Sequence, residues 1–434
     1  MSVGERRTSQ ETALLERRDR AVLVGVDRGK SDWPTDESLD ELRRLAETAG
    51  ADVVSTVVQK MERPNPRTFI GKGKTEEVLD LVKDLDVTLV IFDDDLTPSQ
   101  QANLEKAIPE TKIADRTGLI LDIFALHATS REGRLQVELA QMEYLLPRLR
   151  GLWRHLDKYA GGGVMTRGPG ESQLETDRRL AHRRISELKH DLKGVSSERE
   201  LQRKSRARSG VFRVALVGYT NAGKSTLLNA LTGAGVLQAD MLFATLDSTT
   251  RRFALPEGRE ITLTDTVGFI HKLPHGLIEA FKSTLDEVNE ADLLLHVTDA
   301  GSAQQEQQMQ AVREVLDEIG ARDASSVVVF NKADTLSFDD RASLERRYPN
   351  AVFVSGLTGA GLEGLIARIT DEAARGSATL TVVVPYTRGD LVALAHEKAQ
   401  ILSERHLDEG TQLVVRVTQE LASTFEPYRV ADSE

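Results

Sequence analysis

GYTNAGKST occupies residues 218–226, directly after the apolar run VALVG at 214–218 and continuous with TLLNALTG at 226–233, whose apolar positions have helical spacing. A strand that runs into a glycine turn and opens a helix is the context a phosphate-binding loop requires. Gly218 and Gly223, with Asn221 and Ala222 between them, let backbone N–H groups close round a β-phosphate. Lys224 reaches the β- and γ-oxygens, the Ser225 hydroxyl ligates Mg2+, and Thr226 completes the loop.

Three further motifs turn this loop into a guanine-nucleotide switch: DTVG at 265–268, NKAD at 331–334 and SG at 355–356. Asp265 ends the apolar run ITLTD, where a carboxylate holds the metal through water. Gly268 offers its N–H to the γ-phosphate and swings when that phosphate leaves. Asn331, Lys332 and Asp334 follow the buried run SVVVF. The Asp334 carboxylate accepts the paired N1 and N2 protons of guanine, a pair adenine lacks, so GTP is favoured over ATP. Ser355 and Gly356 complete the base site. The expected reaction is GTP hydrolysis to GDP and phosphate.

The residue after DTVG is Phe269, where many proteins of this fold place a glutamine that orients the attacking water. A phenyl ring accepts no hydrogen bond from water, so intrinsic hydrolysis is expected to be slow until an outside surface orders the switches. Asn221 raises a second cation. GTPases with asparagine here often coordinate K+, which neutralises developing phosphoryl charge.

The chain has 434 residues, 40% of them hydrophobic, which suggests about three domains. It contains no cysteine, which excludes disulfides, thiol catalysis and cysteine zinc sites. The opening MSVGERRTSQETALLERRDR is charged throughout, and no run approaches the roughly 20 apolar residues of a membrane helix. A cytoplasmic location without integral membrane contact is expected, with peripheral membrane association left open. The reading is an α/β multidomain chain. It has a flexible start (1–20), an N-terminal α/β domain (21–130), a long helical hairpin with a glycine-rich tip (131–209), a P-loop GTPase domain (210–375) and a small α+β C-terminal domain (376–434).

Net charge is −12, but residues 148–208 hold 16 Lys and Arg against 8 Asp and Glu. Gly133 to Tyr159 has near-helical apolar spacing, with Pro147 a candidate kink. AGGGVMTRGPGES at 160–172 is too rich in glycine for helix, and a charged helix follows to about 208. This predicts an antiparallel hairpin whose tip is a cationic loop suited to a phosphate backbone, with RNA favoured over duplex DNA. A solvated spacer with outward arginines is the plainer alternative.

Residues 21–126 alternate strand-like runs (AVLVGV, DVVSTVV, VTLVIFD) with helical ones, which predicts a partly parallel sheet. Gly71, Lys72, Gly73 and Lys74 could hold a phosphate at a helix start, although an exposed glycine turn is favoured. Asp93, Asp94 and Asp95 read as a solvated turn, and His271 and His275 receive no role. The tail from 376 reads as strand, helix and strand, with an amphipathic stretch from Asp390 to Glu404.

Four stretches carry a more specific likeness: FIGKGKTEE (69–77), RGPGESQLETDRR (167–179), LFATLDSTTR (242–251) and DTVGFIHKLPHGLIEAF (265–281). With them, nearly the whole chain resembles the HflX GTPases of the Obg-HflX superfamily. The resemblance implies a stress-linked monomer that binds the large ribosomal subunit and its rRNA, acts on the intact ribosome, and splits stalled or idle ribosomes in its GTP-bound form. It places Gly163, Arg167, Gly168 and Gly170 near rRNA, and makes Thr245 the switch threonine that closes over Mg2+, with Thr249 and Thr250 as alternatives. Ser248 stands where relatives commonly have proline, and Gly356 where alanine is usual. Use of ATP by the N-terminal domain would rest on Lys72 and Lys74. Two rivals stay open: a ribosome-assembly or rRNA-remodelling NTPase, and a signalling GTPase whose hairpin binds a protein.

Overall fold

Short β-branched runs separated by amphipathic ones fold as parallel strands, because each crossover must span the sheet and does so most compactly as a helix. The computed structural model describes residues 18–29, 33–149, 173–208, 211–233, 242–274, 277, 282–322, 324–375 and 377–430. Its chain divides into two units. Unit 1 takes Met1–Leu192, Ala239–Asp247 and Ile270–Lys282; unit 2 takes Lys193–Gln238, Ser248–Phe269 and Ser283–Glu434.

Unit 1 begins β1 (Arg20–Asp27), α1 (Thr35–Thr48), β2 (Asp52–Lys60), α2 (Lys72–Asp84), β3 (Leu89–Phe92), α3 (Pro98–Ala107), β4 (Lys112–Asp115) and α4 (Arg116–His127). The strands form one sheet in the order β2-β1-β3-β4, parallel throughout rather than in part. A helix separates every consecutive pair, which leaves no hairpin to reverse direction. Val22, Val24, Val90 and Phe92 are fully buried in its core. At the start of α2, Lys72 and Lys74 pair with Glu76 and Glu77 of the same helix, and the Gly71 N–H donates to Gln59 Oε1 at 2.8 Å.

Of the 93–95 triplet, read as a solvated turn, Asp95 is exposed and Asp94 half-buried, but Asp93 is not solvated. Asp93 is buried, and its carboxylate accepts from Arg116 at 2.6 Å and from Lys272 at 2.7 Å. Arg116 is itself buried, reaches Glu41 at 2.5 Å and donates to the His271 carbonyl at 3.2 Å. Burial alone would raise the Asp93 carboxyl; the Arg116 and Lys272 charges outweigh it and hold the group well below the usual carboxylate range. Asp94 pairs with Lys272 at 3.0 Å, and Asp95 accepts from the Thr117 hydroxyl. The His271 ring stacks on Trp33 with centroids 4.3 Å apart.

Ala128 to Ser130 connect α4 to α5 (Arg131–Leu145), and a 3-10 turn follows over Leu146–Arg148. Pro147 therefore sits in the tight turn that ends the helix, not at a kink within it. Arg148 folds back over the Tyr144 ring and donates to Asp115 Oδ2 at 3.2 Å, while the Tyr144 hydroxyl donates to Asp115 Oδ1 at 2.7 Å. Helix α6 (Gln173–Arg208) packs on α5 through Leu139, Ile185 and Leu188, flanked by ion pairs Arg184–Glu138 and Lys189–Glu143. The expected tip, with Gly163, Arg167, Gly168 and Gly170, lies outside the described residues.

Unit 2 is built on a six-stranded sheet in the order β10-β9-β8-β5-β7-β6. The strands are β5 (Phe212–Gly218), β6 (Thr249–Ala254), β7 (Glu260–Asp265), β8 (Leu293–Asp299), β9 (Ser326–Asn331) and β10 (Val352–Phe353). Only the β6–β7 pair among them is antiparallel. Helices α7 (Lys224–Thr232), α8 (Lys282–Asn289), α9 (Gln305–Glu318) and α10 (Phe338–Arg347) lie between them in sequence, and α11 (Leu362–Arg375) follows β10. Leu216, Leu227, Leu263, Leu295, Val329 and Ile369 form the centre of its core.

The tail adds β11 (Ser377–Val384), α12 (Gly389–Lys398), β12 (Gln400–Leu407), β13 (Gly410–Thr418) and α13 (Gln419–Phe425), with strand order β11-β13-β12. The stretch from 390 to 404, read as one amphipathic element, is helix to Lys398 and strand from Gln400. Ala399, at φ −122° and ψ 156°, ends the helix, and β12 then pairs antiparallel with β13.

Candidate functional site

Strands β5, β7 and β9 end in Gly218, Asp265 and Asn331, so the sheet delivers three motifs to its carboxyl edge, where open α/β sheets bind ligands. The loop after β5 begins at Gly218 and enters α7 at Lys224 through Gly223, whose φ of +85° lies in the left-handed region. A Cβ at Gly223 would run into the Asn331 side-chain amide, so both conformation and space call for glycine. Asn221 also takes a left-handed φ of +59° and is exposed.

Asn331 holds three motifs together. Its Nδ2 donates to the carbonyls of Ala222 at 2.9 Å and Gly223 at 3.3 Å, and its Oδ1 accepts from the Gly356 N–H at 3.0 Å. Lys332, at φ +59°, extends to Asp299 Oδ2 at 2.8 Å. Asp299 escaped the sequence reading; its place at the end of a third apolar strand was the available signal. Asp334 is exposed beside them, and Ser355 is fully buried, its Oγ accepting from the Thr358 N–H at 3.1 Å.

The Ser225 hydroxyl donates to Asp265 Oδ2 at 2.6 Å. Asp265 is buried, and the adjacent Thr266 hydroxyl donates to the Leu216 carbonyl at 2.7 Å, which fixes the end of β7 against β5. Two hard oxygen donors this close suit Mg2+, which prefers oxygen and keeps several waters or phosphate oxygens. Among the described residues there is no cluster of three or more His, Asp or Glu that could hold a metal by itself.

Lys224 is buried, and its ammonium donates to the carbonyls of Tyr219 at 2.9 Å and Gly218 at 3.1 Å. Burial draws it down to about 8, with the Asp265 carboxylate pulling the other way. Gly268 lies so close that a Cβ there would be 2.9 Å from Thr220 Cα and 3.0 Å from Lys224 Nζ. Phe269 pairs by its backbone with the loop: its N–H donates to the Gly218 carbonyl at 3.1 Å, and its carbonyl accepts from the Thr220 N–H at 2.7 Å. Its ring is buried, so a core side chain occupies the position of a water-orienting glutamine. A separate cavity of about 420 Å³, lined by Val214, Thr250, Ile261, Thr264 and Glu287 among others, includes none of these motif residues.

Thr245 belongs to the other unit. The segment Ala239–Asp247 is part of unit 1, where Leu242, Phe243 and Leu246 are buried and Phe243 meets Phe124 edge-on at 4.7 Å. Thr245 is half-buried there. Thr250, an alternative switch threonine, shares a 3.0 Å hydrogen bond with Thr264 across β6 and β7. Asp247 accepts from the Thr129 N–H and hydroxyl at 2.9 and 2.6 Å and from the Ser130 N–H at 2.7 Å, and it also takes the Ser130 hydroxyl. Burial would raise this carboxyl; the four hydrogen bonds lower it below its ordinary value.

The chain matches three family descriptions in succession: GTP-binding GTPase N-terminal over residues 36–125, GTP-binding GTPase Middle Region over 127–206, and 50S ribosome-binding GTPase over 213–332. It is 47% identical over 414 residues to the GTPase HflX of Lacrimispora saccharolytica, covering 95% of this chain and 96% of that protein. Against the GTPase HflX of Escherichia coli it is 44% identical over 377 residues, covering 86% and 88% respectively. A solved GTP-binding protein from Sulfolobus solfataricus in complex with GDP aligns with a TM-score of 0.41 at 26% identity, over 82% of this chain and 99% of that one.

Proposed function

Because this chain belongs to the HflX family of GTPases, we propose that it binds the large ribosomal subunit and, with GTP bound, splits stalled or idle ribosomes. The observation that carries the nucleotide part is Asn331, whose one amide ties the phosphate loop at Ala222 to the base loop at Gly356. Gly218, Asn221, Ala222, Gly223, Lys224, Ser225 and Thr226 cradle the phosphates. Asn331, Lys332, Asp334, Ser355 and Gly356 take guanine. Ser225, Asp265 and Thr245 are the residues that would hold Mg2+. The ion, when bound, supplies positive charge against the β- and γ-phosphate oxygens.

With Phe269 unable to orient water, the ribosome acts as the surface that orders the switch and speeds hydrolysis. GTP favours the form that fits a separated subunit better than an intact ribosome, and that difference in affinity drives splitting. Hydrolysis then releases the protein. Gly163, Arg167, Gly168 and Gly170 meet rRNA, a role supported by the positive charge of residues 148–208. Asn221 is the residue that would hold K+, which would supply positive charge against the phosphates, and equal rates in KCl and NaCl would remove it from the mechanism.

The test is sedimentation of intact ribosomes mixed with the full chain and a non-hydrolysable GTP analogue, GDP or an ATP analogue. Analogue-dependent separation with the protein on the large subunit is the expected result. Binding without separation would replace splitting with assembly or rRNA remodelling. Deleting residues 161–170 is expected to leave GTP binding intact and impair separation; retained separation would make the loop only a linker.

A further inference from the structure

Helix α5 is held at both ends by carboxylates of different origin. At its C-terminal end the holder is local: Asp115 takes the Tyr144 hydroxyl at 2.7 Å and Arg148 at 3.2 Å. At its N-terminal end the holder is Asp247, more than a hundred residues further along the chain. Thr129 and Ser130 form the turn before α5, and Ser130 is also its N-cap, its Oγ accepting from the Gly133 N–H at 2.8 Å. Gly133 makes the approach possible, since a Cβ there would collide with Asp247 Oδ1. One carboxylate thus satisfies both backbone donors of the turn and both of its hydroxyls.

We propose that Asp247 is a positioning residue that ties the orientation of α5 to the conformation of the 242–247 segment. The inference rests on the reading of Thr245 as the nucleotide-responsive threonine. Asp247 follows it by two residues, a reach of at most about 7 Å of chain, so a shift of Thr245 is passed on with little slack. Phe243 against Phe124 and buried Leu242 and Leu246 make the segment a packed body rather than a loose strand. With Asp115 fixing the far end, displacement of Asp247 tilts α5 about that end. α6 follows, because Leu139 packs with Ile185 and Leu188. The first helix of the expected hairpin is thereby set by the bound nucleotide.

The experiment is amide hydrogen exchange of the full-length protein with GDP and with a non-hydrolysable GTP analogue, read over residues 128–145, without ribosomes. The parent is expected to exchange differently in the two states. Asp247→Asn keeps size and removes acceptor capacity; it should retain analogue affinity within about threefold and lose most of the state-dependent difference. Thr129→Val/Ser130→Ala removes the two hydroxyl donors and leaves the two backbone N–H donors; it should give part of the same loss, with little further loss when added to Asp247→Asn. A variant that raises exchange equally in both states would assign Asp247 a purely structural role and overturn the proposal. So would a parent that shows no difference between states. Failure of the parent to split ribosomes, with the exchange difference present and lost in Asp247→Asn, would remove the ribosome reading and leave this one standing.

Discussion

Lys272 Nζ lies 2.7 Å from Asp93 Oδ2, a pairing across 179 residues of sequence. With Arg116 on the same carboxylate it forms a buried charge cluster, and breaking such a cluster from one side strands the remaining charge. Arg116→Met is therefore expected to destabilise unit 1 by about 3–5 kcal/mol. Lys272→Met, removing a cation only partly sheltered from solvent, should cost about 1 kcal/mol. The Asp93 carboxyl is depressed from its ordinary 3.8, so its stabilisation is complete above that value and is lost as pH falls below it. The acid-side loss should shrink in Arg116→Met. Denaturant midpoints followed by Trp fluorescence, between neutral pH and pH 3, would check both statements.

His296 in β8 is buried, and its Nε2 finds no hydrogen-bond partner among the described residues. Burial, helped by the charges of Arg313 and Lys224, pulls it from 6.5 to about 4. The unfolded chain therefore binds this proton first as pH falls through 6.5, and the folded state loses ground until about 4. His296→Leu should lose less stability than the parent between pH 7.5 and pH 5, by up to about 2 kcal/mol. Circular dichroism in urea at the two pH values measures it; equal losses would mean that the imidazole is hydrated in the folded protein.

Gly268→Ala would push a methyl against Thr220 and the Lys224 ammonium. Affinity for the GTP analogue should fall at least about tenfold, while GDP, which lacks the γ-phosphate, should lose only a few-fold. Isothermal titration with each nucleotide separates the two. A parallel loss would place the clash in the loop as a whole.

Asp334→Asn exchanges an acceptor for a donor where guanine offers two protons. GTP binding should weaken by roughly 100-fold, about 3 kcal/mol. Xanthosine triphosphate, which presents an oxygen in place of the 2-amino group, should bind the variant better than GTP does. Competition against a fluorescent nucleotide gives the ranking, and an unchanged preference for GTP would remove Asp334 from base recognition.

What was legible in the sequence was local. The phosphate loop, the strands that carry it and the parallel alternation of residues 21–126 all follow from spacing within about thirty residues. The Asp93 cluster was not legible, because its partners Arg116 and Lys272 are brought in by the fold and a run of aspartates beside a strand reads as solvent-facing. The boundary between α12 and β12 was hidden for a different reason. Residues 390–404 contain neither Gly nor Pro to mark the change of period. The sequence marks Asn331 only as a base-site residue; its second task, bracing the phosphate loop, needs the parallel crossovers that place β9 beside β8 and β8 beside β5.

Unit 1 takes its last contributions from Ala239–Asp247 and Ile270–Lys282, and this sets an order on its birth. Synthesis runs from the N-terminus, so Asp93 and Arg116 leave the tunnel roughly 150 residues before Lys272, an interval on the order of 10–30 s at ordinary elongation rates. The turn at Thr129 and Ser130 likewise waits for Asp247, 117 residues after Ser130. A nascent chain shorter than about 272 residues lacks the third charge of the Asp93 cluster, however complete its first sheet. The finished unit is in effect a receipt that elongation has passed residue 272, and premature termination before it leaves the Asp93–Arg116 pair without its third member.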